Sequence, residues 1–115
     1  MDKLPNCHKA IVQDEKLIKY LLNYNHSERW SKAVFFGKFG YVLENFEELK
    51  NALLVLTCEG IVEQMFEKPP YGTRITVTGK LITPDGRNPE IKTGWFIDAN
   101  DEDKIPRLIT AVPLN

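Results

Sequence analysis

Three groups of residues carry side chains that could do chemistry. His26 lies in a polar run, Asn23-Tyr24-Asn25-His26-Ser27, close to Arg29 and Lys32. Neighbouring cations disfavour the protonated imidazole, which suits a base near neutral pH. Arg74, Lys80, Arg87 and Lys92 make residues 73–94 locally basic, against only Asp85 and Glu90. Arg107 and Thr110 come near the end of the chain, and Thr93 and Trp95 fall on its presumed neighbouring strand. Histidine, lysine, arginine and threonine around one groove are the equipment of metal-independent RNA cleavage. One group takes the ribose 2′-OH proton, another protonates the leaving oxygen, and a guanidinium stabilises the charged phosphorane. Trp30, Tyr71 and Trp95 could stack bases. The same residues also have plainer readings: an exposed loop histidine, the solvated side of a half-buried strand, and aromatic residues of a core.

These side chains must be positioned by local elements, and the hydrophobic periodicity indicates which. Leu17, Ile18, Leu21 and Leu22 follow Asp14 at helical spacing, so a helix capped by Asp14 is expected over 14–22. A second helix is expected over 30–39, with Gly40 as its left-handed terminator. The third is expected after Asn45, which with Glu48 approximates a capping box. Its buried face is Phe46, Leu49, Ala52, Leu53 and Leu56, and Gly60 ends it. Beyond Gly60 the period falls toward two. Strands are expected over 61–68, 73–83, 90–98 and 105–112, joined by Pro69-Pro70-Tyr71-Gly72, by Pro84-Asp85-Gly86-Arg87 and by a polar turn. Ile75, Val77, Gly79 and Leu81 should face one way on the second strand, and Ile91, Thr93, Trp95 and Ile97 should share one face of the third, with Val77, Leu81 and Trp95 largely buried. The fold class is therefore α+β: three N-terminal helices, then a four-stranded antiparallel β-meander, in a single domain spanning 1–115.

Composition narrows the function classes. The chain has 115 residues, 43% hydrophobic and 27% charged, with a net charge of −1. That size supports a core without a disulfide or metal, and that charge argues against a generic DNA-coating protein. Cys7 and Cys58 show no metal-ligand spacing and are expected as inert thiols of a reducing cytoplasm. No signal peptide or membrane-spanning stretch is apparent. No phosphate-binding glycine loop, GxSxG, HExxH or metal cluster occurs, so no metal or cofactor is expected.

Several segments taken together resemble a known family. They are Leu4-Pro5-Asn6 with Lys9-Ala10-Ile11-Val12, Lys16 through Asn23, His26 through Tyr41, Pro70-Tyr71-Gly72-Thr73, Pro84-Asp85-Gly86-Arg87, Thr93 through Ile97 and Pro106 through Pro113. In this order they are similar to an uncharacterised bacterial domain family that occurs as small stand-alone proteins and as C-terminal modules of polymorphic toxins. Its layout is similar to the barnase, EndoU, colicin and RelE nuclease fold. The resemblance implies His26, Lys32, Arg74 and Arg107 as catalytic residues and Tyr71, Thr93, Trp95 and Thr110 as substrate-binding residues. It implies RNA or a protein encoded by a neighbouring gene as partner; the short apolar runs argue against a membrane, and chemistry at a 2′-OH argues against DNA. A non-catalytic module using the same sheet face for RNA or a protein partner is the alternative. The chain departs from the family pattern around Asn25-His26-Ser27 and at Thr110-Ala111-Val112-Pro113, both beside the implied site.

Overall fold

Residues 3–22 and 30–114 are described by a computed structural model, with the side chains of Trp30 and Ser31 left aside. A short turn, Cys7–Lys9, precedes α1 (Asp14–Lys16), which winds on as a wider π turn over Leu17–Leu21. Then come α2 (Trp30–Lys38), a 3₁₀ turn (Leu43–Asn45) and α3 (Phe46–Glu59). Four strands follow: β1 (Ile61–Lys68), β2 (Gly72–Lys80), β3 (Glu90–Asp98) and β4 (Arg107–Pro113). They form one sheet in the order β1-β2-β3-β4, every neighbouring pair antiparallel. The expected α+β meander is present, though only α2 and α3 exceed a single turn of α-helix.

One face of the sheet is closed by the helices. Ile75, Val77 and Leu81 from the second strand region, and Ile91, Trp95 and Ile97 from β3, cluster with Leu49, Leu53 and Leu56 of α3 and Phe36 of α2. Alternation puts the even-numbered residues of β2 and β3 on the other face, which no described helix covers. Thr93 and Trp95 are 0% exposed, and the core satisfies their polar atoms. The Thr93 hydroxyl donates to the Val77 carbonyl (2.7 Å) and accepts the Trp95 indole N–H (2.8 Å). Tyr41 is also buried, its hydroxyl donating to the Ile82 carbonyl. Burial, with Glu48 adding, pushes its phenol up to about 12.

Several local expectations change. Asp14 is the first helical residue of α1, with Gln13 ahead of it as cap, and the Asp14 carboxylate takes the Lys50 ammonium at 2.9 Å. Asn45 does not close a capping box with Glu48. Its side chain accepts the Val42 N–H and donates to the Gly40 carbonyl, tying the entry of α3 back to the end of α2. The expected left-handed glycine is found at Gly40, with φ 104°. The second strand stops at Lys80, because Leu81 leaves the ladder and donates its N–H to Pro89 across the β2–β3 loop.

Arg87 belongs to that loop's scaffold. It binds the Asp85 carboxylate (2.6 Å) and the Lys38 carbonyl (2.6 Å), and stacks on Phe39. The Arg87 backbone N–H, with the Arg87 and Thr83 side chains, holds the Asp85 carboxyl below its usual range.

The expectation of two separate thiols is overturned. Cys7 and Cys58 form a disulfide, with Cα atoms 5.2 Å apart. The Cys7–Lys9 turn packs on the last turn of α3, so a separation of 51 residues in sequence disappears in space.

Candidate functional site

The uncovered sheet face is built by register. Phe66 pairs with Arg74, Arg74 with Phe96, and Phe96 with Arg107, so one row across all four strands alternates aromatic rings and guanidinium groups. Adjacent members stand one inter-strand spacing apart, about 4.8 Å between backbones. The next row along the strands is Gln64, Thr76, Gly94 and Thr110, and the row beyond it holds Thr78, Lys92 and Val112. A bulge between Gly94 and Trp95 leaves Ile109 unmatched in β4. It lets Arg107 and Thr110, three residues apart, both point outward.

Glycine makes the relief of this face. A Cβ on Gly94 would stand 2.5 Å from Arg74 Nη2 and 3.1 Å from its Nε and Cζ, so the guanidinium lies directly over the Gly94 backbone. A Cβ on Gly72 would meet the Phe96 ring at 2.7 Å. A side chain at Gly94 would lift the Arg74 guanidinium off the sheet, and one at Gly72 would run into the Ile97 carbonyl oxygen and the Phe96 ring from a positive-φ backbone.

Around Gly94 is a concavity of about 290 Å³, lined by Gln64, Lys68, Arg74, Thr76, Lys92 and Thr110 among others. Arg74 Nε and Thr110 Oγ1 are buried in it with no hydrogen-bond partner, the two such side-chain atoms among the described residues. Lys68, Arg74 and Lys92 have no ion pair with a described residue. The concavity therefore presents positive charge and unspent hydrogen-bonding capacity.

A second depression adjoins it, lined by Pro70, Tyr71, Phe96, Asp98 and Arg107. Tyr71 is 73% exposed at the β1–β2 turn, and Phe66 is 52% exposed beside the row. Here Arg107 is already engaged. Its Nε and Nη2 donate to the two Asp98 carboxylate oxygens at 3.3 and 3.2 Å, and its guanidinium lies 5.6 Å from the Phe96 ring centre. Asp98 neutralises Arg107, whereas Arg74 keeps its charge uncompensated.

The residues expected at a site from sequence thus separate. Arg74 and Thr110 meet at one concavity, and Tyr71 and Arg107 at the next, with Phe96 between the two arginines. The Thr93 and Trp95 side chains are buried in the core rather than on the outer face, because on β3 the odd positions are the buried ones. Lys32 belongs to the helical layer, donating to the Tyr20 hydroxyl (3.0 Å) with its ammonium 4.8 Å from that ring's centre. The structure does not bring it to Arg74 or Arg107. His26 lies outside the described residues. Phe66, Phe96, Gly94, Gln64 and Lys68 went unnoticed in sequence. The period-two alternation that put Arg74 outward would also have placed Phe96 and Phe66 outward, once the strands were paired.

The fold and this face define a small α+β domain with an exposed sheet surface of aromatic and cationic side chains. The chain belongs to the family described as domain of unknown function DUF6883, whose profile matches residues 3–115. No curated protein and no solved structure shows significant similarity to it. Among the described residues, no helix is long and apolar enough to cross a membrane, and no group of three or more His, Cys, Asp or Glu is placed to hold a metal ion.

Proposed function

We propose that the protein is a binding module that holds single-stranded RNA on the outer face of its sheet. The observation that carries this reading is the row Phe66, Arg74, Phe96, Arg107. Bases stack on aromatic rings and guanidinium planes, while cations track the backbone. Splayed bases would lie on Phe66, Phe96 and the exposed Tyr71, and phosphates near Lys68, Arg74 and Lys92. Gln64 and Thr76 supply partners for a 2′-OH, which is what separates RNA from DNA at a site. Three uncompensated cations predict a modest salt dependence, with log K falling against log salt at a slope of roughly −2. The test is fluorescence anisotropy with a labelled single-stranded RNA and the same sequence as DNA. Saturable binding that Phe66→Ala and Phe96→Ala each weaken supports the reading. Absence of binding at low salt, or binding that ignores both variants, overturns it.

A metal-independent ribonuclease related to toxin modules is the second reading, and Arg74 favours it. An unpaired guanidinium beside a free threonine hydroxyl is suited to stabilising a phosphorane. Such an enzyme would cut RNA in chelator, leave a 2′,3′-cyclic phosphate and spare DNA. Arg74→Met would abolish cleavage. The bonded Cys7–Cys58 pair favours an oxidising compartment over the cytoplasm expected from sequence, where disulfides are rare.

A further inference from the structure

The outer face offers more than a charged surface, because its unspent hydrogen-bonding groups converge on one spot. Arg74 Nε and Thr110 Oγ1 are both buried and both lack a partner. Gly94, beneath the Arg74 guanidinium, is the register partner of Thr110. Burying polar groups without partners costs on the order of 1–3 kcal/mol each, so native proteins rarely keep two side by side without a use for them. The use is narrowed by type. A guanidinium has only donors, and a hydroxyl can donate as well as accept. Lys68 and Lys92 add positive charge at the rim of the same concavity, and no carboxylate is among its lining residues. The ligand that satisfies this set is an anion with oxygens pointing in several directions.

We infer that the concavity over Gly94 is a binding site for a single phosphate group. The Arg74 Nε–H and its Nη neighbour donate to two phosphate oxygens, as a guanidinium fork does. The Thr110 hydroxyl donates to a third from β4, on the far side of Gly94, and Lys68 and Lys92 balance the remaining charge. Gly94, having no side chain, is the seat on which the guanidinium lies flat at the floor of the concavity. Arg107 is not part of the site, because Asp98 occupies its fork. The inference rests on the RNA reading for its natural ligand, a phosphate of the RNA chain. Its chemistry is tested separately with inorganic phosphate.

The experiment follows the Arg74 Nε–H resonance in proton–nitrogen correlation spectra during titration with inorganic phosphate, at ionic strength held constant with chloride. A saturable shift of that resonance, with Gly94 and Thr110 amides moving together, is expected. Thr110→Val should weaken phosphate about tenfold, the loss of one hydrogen bond to a charged group. Gly94→Ala should weaken it at least as much without changing any charge, since the added methyl displaces the fork. Thr110→Val keeps shape and fold, so the test stands even where Gly94→Ala folds poorly. Phosphate should also displace labelled RNA at constant ionic strength. No saturable shift, an equal response to chloride alone, or unchanged affinity in Thr110→Val overturns the site. RNA binding without any phosphate response overturns the site and leaves the RNA reading intact. A phosphate response without RNA binding supports the site and removes the RNA reading.

Discussion

Two threonines on neighbouring strands, Thr93 and Thr110, should respond to the same substitution with opposite signs. Thr→Val keeps the side-chain shape and removes only the hydroxyl. At Thr93 that hydroxyl joins two buried groups, the Trp95 indole N–H at 2.8 Å and the Val77 carbonyl at 2.7 Å. Thr93→Val orphans the buried Trp95 indole donor and takes one hydrogen bond from the Val77 carbonyl. An unsatisfied buried donor costs about 1–3 kcal/mol, so a loss in that range is expected. At Thr110 the hydroxyl oxygen is buried with no partner. Thr110→Val relieves an unsatisfied group and should leave stability unchanged or raise it by up to about 1 kcal/mol. Urea unfolding followed by tryptophan fluorescence and by circular dichroism gives both values on one scale. Similar losses in the two variants would refute the assignment of the two hydroxyls, and with it the argument that Thr110 is held ready for a ligand.

Three further outcomes test the fold. Leu53 of α3 is fully buried against the sheet, and Leu53→Ala should cost about 2–5 kcal/mol in the same unfolding assay. Tyr41 has its phenol raised from 10.0 to about 12, so in that window the folded state holds a proton that the unfolded state has lost. Stability should therefore fall as pH rises from 10 to 12, and Tyr41→Phe should remove that part of the fall. Cys7 and Cys58 close a loop spanning 51 residues, so Cys58→Ser should lower stability by roughly 2–4 kcal/mol. Alkylation of the protein as isolated from cells, which labels free thiols alone, reports whether the bond forms there.

The sheet was legible because each strand is half-buried, so composition alternates with the pleat. Ile75 and Val77, and Ile91, Trp95 and Ile97, announced the inner face, and the short turns forced the antiparallel order. Phe46, Leu49, Leu53 and Leu56 announced α3 in the same way. Arg74 and Thr110 could be nominated because outward polar residues of half-buried strands are visible in sequence. Their meeting over Gly94 could not, because it depends on register and on the bulge at Ile109. Thr93 and Trp95 were nominated for their chemistry although their own alternation already put them inside, and alternation was the stronger signal. Lys32 looked catalytic by its proximity to His26 in sequence, yet α2 turns it to Tyr20. The disulfide was hidden because pairing across 51 residues is a property of the packed fold and leaves no local pattern.

Single-stranded RNA titrated into the isotope-labelled protein would locate the binding surface residue by residue. The expected result is a set of saturable shifts confined to the outer face, at Phe66, Arg74, Gly94, Phe96 and Thr110, with the inward-facing Val77, Thr93 and Trp95 side chains unmoved. Shifts centred on the helical layer around Lys32 and Tyr20, or no saturable shifts at low salt, would contradict the assignment of this sheet face as the site.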